Sequence, residues 1–128
     1  MNAEVSLVIP SYNSEDGLKL LLEGIIDWSC IPAEILVIDS SDFPPIITDS
    51  FQEFCNERKI SLNVISKKNL FPGKARNIGI RSASFDFIAF LDISTIPARD
   101  WLELNMNSLN DHNIDGVWGS TIYEAKSW

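Results

Sequence analysis

Short apolar runs recur along the chain, and between them apolar residues fall at helical spacing. Val5–Ile9 is rich in β-branched and apolar residues and is closed by Pro10, so it reads as a buried strand that stops at the proline. After the loop Ser11–Ser14, Leu18, Leu21, Leu22, Ile25 and Ile26 trace one helical face, with Glu15 and Asp16 in its first turn. Cys30-Ile31-Pro32 is expected to end that helix. Ile35–Ile38 is a second strand and runs into Asp39, followed by a loop through Ser40-Ser41-Asp42 and Pro44-Pro45. Ile46, Ile47, Phe51, Phe54 and Cys55 predict a helix from about Pro45 to Lys59, and Leu62–Ile65 a short third strand.

Phe71-Pro72-Gly73 breaks the pattern before a third helix, marked by Ala75, Ile78, Gly79 and Ala83. Phe87–Leu91, five apolar residues in a row, reads as a buried strand that delivers Asp92 at its end. Pro97 and Asp100 precede a fourth helical pattern through Trp101, Leu102, Leu104, Asn105 and Leu109, and Gly116–Gly119 reads as a fifth strand or its edge. Alternating strands and helices imply βαβ crossovers. The expected fold is therefore α/β and Rossmann-like, with a mostly parallel central sheet flanked by helices.

At 128 residues this is one domain, 1–128, large enough to bury a core. The chain stops at Trp128, just past a predicted strand, and is read as the N-terminal part of a longer protein. No apolar run approaches the roughly 20 residues of a membrane helix. The start Met1-Asn2-Ala3-Glu4 lacks the basic region of a secretory signal. Cys30 and Cys55 match no metal or redox spacing and read as free thiols of a cytoplasmic protein. His112 lies among loop formers and reads as a surface turn residue; Trp28, Trp101 and Trp118 read as core or interface residues.

The net charge of −8 excludes a general nucleic-acid binder. The charge is uneven, however. Lys67, Lys68, Lys74, Arg76 and Arg81, half of the ten basic residues, fall between positions 67 and 81 with no acid among them. Such a stretch can hold a small anion, or can be a solvated face.

In open parallel sheets, ligands bind beyond the carboxyl ends of the strands. Three such ends, Pro10–Asn13, Asp39–Asp42 and Asp92–Ser94, therefore point toward one crevice. The helix opening at Phe71–Asn77 brings free N–H groups to the same region, where a phosphate is stabilised, and Arg76 can add a charge-assisted contact. No G-x-x-x-x-G-K-[ST] or G-x-G-x-x-G is present.

Five segments in order resemble family 2 glycosyltransferases. Val5–Asn13 resembles their opening strand, Ile35–Ser41 their second strand and acidic loop, and Gly73–Ile80 their G-x-A-R-N-x-G-I helix start. Phe87–Asp92 resembles the strand into their D-x-D motif, and Pro97–Leu102 the P-x-W-L-like segment beyond it. The resemblance implies a GT-A, nucleotide-diphospho-sugar-binding fold. It assigns Pro10, Tyr12 and Asn13 to the nucleotide pocket with Glu15 beside them, and Asp39 to a hydrogen bond from the base, often uracil. It places Arg76 near the phosphates and Asp92 at the ribose or a metal. The competing structural readings are a partly buried aromatic for Tyr12, a turn cap for Asp39, a solvated helix-start residue for Arg76 and a turn former for Asp92.

The chain departs from the pattern at Ser94, where the family has the second carboxylate of D-x-D, and at Ser40, with Asp42 close by. A divalent cation, Mg²⁺ or Mn²⁺, is thus expected to bind through Asp92 and the donor's diphosphate, and weakly, because a hydroxyl is a poor ligand for a hard cation. The implied activity is transfer of a sugar from a nucleotide diphosphate to an acceptor hydroxyl with inversion, this chain supplying the donor-binding half. No residue fits the general base, so the chain alone is expected to be inactive. The alternative is a non-catalytic nucleotide-sugar-binding or interaction domain with a degenerate metal motif. The expected partner is a nucleotide-diphosphate sugar; neither nucleic acid nor a membrane span is expected, although the full-length protein is free to lie at a membrane periphery.

Overall fold

A computed structural model describes residues 2–123 except His112, so the expectations for His112 and for the end of the chain at Trp128 lie outside the described residues. The elements alternate as β1 (Asn2–Ser11), α1 (Glu15–Ile25), β2 (Ile31–Asp39), α2 (Asp49–Arg58), β3 (Ser61–Ser66), α3 (Pro72–Ser82), β4 (Phe87–Phe90) and α4 (Trp101–Leu109). The four strands form one parallel sheet in the order β3-β2-β1-β4.

Strand alternation sorts the core into two faces. Val5, Leu7 and Ile9 of β1 and Ile35 and Val37 of β2 join one apolar cluster with Leu18, Leu21, Leu22 and Ile25 of α1, Phe51 and Cys55 of α2, and Leu102 of α4. Val8, Leu36 and Ile38 point the other way and pack on Ala75 of α3. Gly79 is the close approach on that face. A Cβ built there would lie 2.3 Å from Val8 Cγ1, so α3 rests on β1 only because this position has no side chain.

β1 does not stop at Pro10: it continues to Ser11, with Pro10 opposite Ile38 and Ser11 opposite Asp39. The reason is parity. Val8 turns its carbonyl toward the β4 side, where it accepts from Leu91 N–H at 3.2 Å, and Ser11 turns its own toward β2, accepting from Ser40 N–H at 2.9 Å. Pro10 shares Val8's direction, and β4 pairing ends at Val8–Phe90, so the missing proline N–H leaves no partner unsatisfied.

Other boundaries also shift. Ile31 and Pro32 do not end a helix; they open β2, with Pro32 tolerated near the strand start beside a register irregularity between Ala3 and Ser6. α2 starts at Asp49 rather than near Pro45, because the Thr48 hydroxyl caps it, accepting from Phe51 N–H at 3.3 Å. Among the described residues β4 is an edge strand, not a buried one: it pairs there with β1 alone, and Phe87 and Phe90 are exposed. Residues 116–119 form no strand; Trp118 is 89% exposed and not a core residue. Trp28 and Trp101 do pack together, ring centroids 5.7 Å apart. Cys30 and Cys55 are both unpaired, and burial pushes the Cys55 thiol up to about 11.

At the end of the sheet away from the strand C-termini lies a polar cluster that local sequence pattern does not reveal. Glu34 of β2 is buried opposite Ser6 of β1. Its Oε1 accepts from Ser6 Oγ at 2.6 Å and from Ser84 N–H at 2.8 Å, and its Oε2 from Ser84 Oγ at 2.7 Å. Phe85 N–H in turn donates to Ser6 Oγ at 3.3 Å. Burial pushes the Glu34 carboxyl up, but the bonds from Ser6 and Ser84 outweigh it and hold the group below its ordinary value. The cluster fastens the exit of α3 to the two central strands.

Candidate functional site

A cleft of about 1290 Å³ opens beyond the carboxyl ends of β1, β2 and β4, where a parallel sheet presents its loops. Pro10, Tyr12, Asn13, Glu15 and Asp92 line it, together with Ser94. These residues come from two strand ends separated by most of the chain, and the parallel register brings them together.

Tyr12 is 63% exposed, so it is not a partly buried structural aromatic; its ring is open to a planar ligand. The loop beneath it is held by polar contacts. Asn13 adopts a left-handed backbone, φ 45°, which asparagine tolerates. Its N–H donates to Ser41 Oγ at 2.7 Å, and its side-chain carbonyl accepts from Asp42 N–H at 3.2 Å. Glu15 accepts from Ile46 N–H at 2.9 Å, which ties the start of α1 to the loop before α2. Asn13 and Glu15 thus brace the two loops that form one wall. Gly17 lets the first turn of α1 meet the loop after β4: a Cβ there would lie 2.5 Å from Ile93 Cγ2.

Asp39 is placed differently. It ends β2 beside Ser11 but is fully buried and does not line the cleft. Its Oδ1 accepts from Ser41 Oγ at 2.7 Å and its Oδ2 from Ser41 N–H at 3.2 Å. In this state it caps the turn that follows it. A carboxylate has about four lone-pair sites, so acceptor capacity remains.

Arg76 also lies outside the lining but meets the cleft through Asp92, donating from Nη2 to Oδ1 at 2.8 Å. Both side chains are partly exposed, so this pair contributes little to stability, roughly 0–1 kcal/mol. Its weight lies in charge placement. The cleft is polarised: Glu15, Asp16 and Asp42 line the wall from β1 and β2, whereas Lys68 and the first turn of α3, with Phe71 and Pro72, line the other. Of the basic stretch seen in the sequence, Lys68 alone lines this wall, and Arg76 meets it through Asp92.

The donor set does not fit a metal cage. Asp92 has one oxygen on Arg76, and its neighbour in the motif, Ser94, is a neutral hydroxyl. Among the described residues no group of three or more His, Cys, Asp or Glu side chains is arranged to hold an ion.

One residue absent from the expected set stands out. Ser11 lines the cleft, is only 5% exposed, and its Oγ has no hydrogen-bond partner among the described residues. In the sequence it reads as a loop former after Pro10; only the extension of β1 places it beside Asp39.

Residues 6–128 match the family model described as glycosyl transferase family 2. A curated relative is the succinoglycan biosynthesis protein ExoW of Rhizobium meliloti, 32% identical over 121 residues, covering 92% of this chain and 38% of that protein. Among solved structures, S. aureus TarS residues 1–349 in complex with UDP-GlcNAc superposes with a TM-score of 0.65 at 24% identity, covering 95% of this chain and 37% of that one. The mannosyltransferase PcManGT of Pyrobaculum calidifontis, in complex with GDP-Man and Mn²⁺, gives 0.68 at 22% identity, covering 89% and 34%. These two likenesses show the GT-A fold. In each of the three comparisons the chain spans less than two fifths of the matched protein.

Proposed function

The chain belongs to glycosyl transferase family 2, and we propose that its cleft is the donor site for a nucleoside-diphosphate sugar. The observation that carries this reading is the convergence of Pro10, Tyr12, Asn13, Glu15 and Asp92 on one cleft at the carboxyl ends of a parallel sheet. The solved neighbours with UDP-GlcNAc and with GDP-Man support the ligand class.

In this reading the base stacks on Tyr12, with Pro10 packed beneath and Asn13 and Glu15 holding the loops. Asp39 accepts an N–H of the base. Asp92 faces the ribose, and Arg76 meets the diphosphate together with Lys68. The full-length protein would transfer the sugar to an acceptor hydroxyl with inversion, by direct displacement. Positive charge on the α3 wall would stabilise the departing diphosphate as negative charge builds on it. A neighbour holds Mn²⁺ with its donor. In this chain Asp92 and the diphosphate are the ligands that would hold such an ion, and since the protein's own set does not fit a cage, no step is assigned to it.

A second reading, a donor-binding domain without transferase activity, draws on Ser94 and the Arg76–Asp92 pair. One experiment separates the two. Full-length protein is incubated with UDP- and GDP-sugars and candidate acceptors, and both binding and release of nucleoside diphosphate are followed. Acceptor-dependent release supports the transferase. Binding without release supports the second reading. No binding of any nucleotide sugar contradicts the donor site itself.

A further inference from the structure

Among the described residues, the unpartnered Ser11 hydroxyl is a feature of the cleft that packing does not account for. A buried hydroxyl without a partner destabilises the fold, and among the described residues Ser11 is such a hydroxyl. It is not remote from chemistry. It lines the cleft, precedes the exposed Tyr12, and lies opposite Asp39 in the register of β1 and β2. Both residues follow the odd-numbered alternation of their strands, so they share one face of the sheet. The two groups have complementary capacities: a carboxylate only accepts, while a serine hydroxyl donates or accepts. Asp39 already takes both donors of Ser41 and has acceptor sites left.

Resting on the donor-site reading, we propose that Ser11 is a base-selecting residue. Its hydroxyl donates to a carbonyl oxygen of the donor's nucleobase, while Asp39 accepts the ring N–H beside that carbonyl. A base stacked on Tyr12 would turn its edge toward Ser11, which lines the cleft, and toward Asp39 buried beside it, and rotation about the Ser11 side-chain bond would carry Oγ to that edge. The edge this pair reads is an N–H next to a C=O. Uracil, thymine and guanine carry one. Adenine and cytosine present a ring nitrogen acceptor there, which would face the Asp39 carboxylate without a proton between them. The selected class is therefore a uridine, thymidine or guanosine diphosphate sugar, and the pair rejects adenosine and cytidine diphosphates because a site left with unpaired buried groups discriminates strongly.

The test is calorimetric titration of UDP, GDP, ADP and CDP into the full-length native protein and its Ser11→Ala variant, with a thermal melt of each. UDP or GDP is expected to bind at least tenfold tighter than ADP and CDP. Ser11→Ala is expected to weaken the preferred nucleotide about tenfold, the worth of one hydrogen bond, and to narrow the gap between bases. Its melting temperature should stay level or rise by about 4 °C, since an orphaned hydroxyl has been removed. Weaker binding with retained or higher stability is a signature that a packing role does not produce. The inference is overturned if the variant binds all four nucleotides as the parent does, if it melts well below the parent, or if ADP or CDP binds as tightly as UDP and GDP. If the parent binds none of the four, the donor-site reading fails and takes this inference with it.

Discussion

β2 carries two buried carboxylates five residues apart, and they face opposite fates. Glu34, at the end of the sheet away from the cleft, receives three hydrogen bonds from Ser6 and Ser84, drawn from two separate chain segments. Asp39, at the cleft end, receives two, both from Ser41 two residues along. Beside Glu34 the Ser6 hydroxyl both donates and accepts; beside Asp39 the Ser11 hydroxyl has no partner. The difference teaches how to tell a fastening from a site. Where polar groups are saturated by distant segments, they hold the fold. Where they are satisfied only locally, with a buried neighbour left over, hydrogen-bonding capacity remains for something that is not protein.

The largest effect that would sharpen this contrast is Glu34→Ala. It strands the buried Ser6 and Ser84 groups and should cost about 3 kcal/mol of folding stability, read by denaturant midpoint. Nucleotide affinity of the folded fraction should be unchanged. Gly79→Ala comes next. The added methyl meets Val8, a stiff β-branched side chain in the core, and should cost about 2 kcal/mol. A melt equal to the parent would show that α3 slides freely over β1. Asp39→Asn should reverse the pattern: stability within about 1 kcal/mol of the parent, but nucleotide binding at least tenfold weaker, because an amide N–H can be set against the base N–H.

The pH dependence of stability follows from the same contrast. Since the Glu34 carboxyl is held below its ordinary value of 4.5, its contribution is complete above that value and is lost as the pH falls through the lower folded value. Acid melts should show a loss of stability that begins below about pH 4.5 and is flattened in Glu34→Gln. The smallest effect concerns the cation. With Asp92 on Arg76 and a hydroxyl at Ser94, replacing EDTA by Mn²⁺ should change nucleotide affinity less than about threefold. Ser94→Asp should make binding respond to Mn²⁺ about tenfold, and an unresponsive Ser94→Asp would show that the second motif position is not what limits the metal.

Much of this architecture was legible because local pattern and fold agree. The apolar runs ending at Ile9, Ile38 and Leu91 are strands or strand ends, and the terminal carboxylates Asp39 and Asp92 lie on the side that a parallel sheet dictates. Gly79 belonged to a recognisable motif, and the structure supplies its physical reason. What escaped depends on contacts far apart in sequence. Glu34 lies just outside the expected strand Ile35–Ile38, and nothing local marks it until Ser84, fifty residues on, is brought to it. Arg76 and Asp92 were each legible, but not their pairing. Ser11 was hidden because Pro10 is a strand terminator in general, and only the parity of its missing N–H allows β1 to go on. The segment Gly116–Gly119 has strand composition, but no described neighbour offers it a ladder, and composition without a partner does not make a strand.

The most direct test of the central claim is calorimetric titration of UDP and GDP into the full-length native protein and Asp39→Asn in parallel. The donor-site account predicts saturable one-site binding of at least one of them to the parent, weakened at least tenfold in the variant, with both proteins melting within a few degrees of each other. No binding to the parent, or equal binding to both proteins, would contradict it.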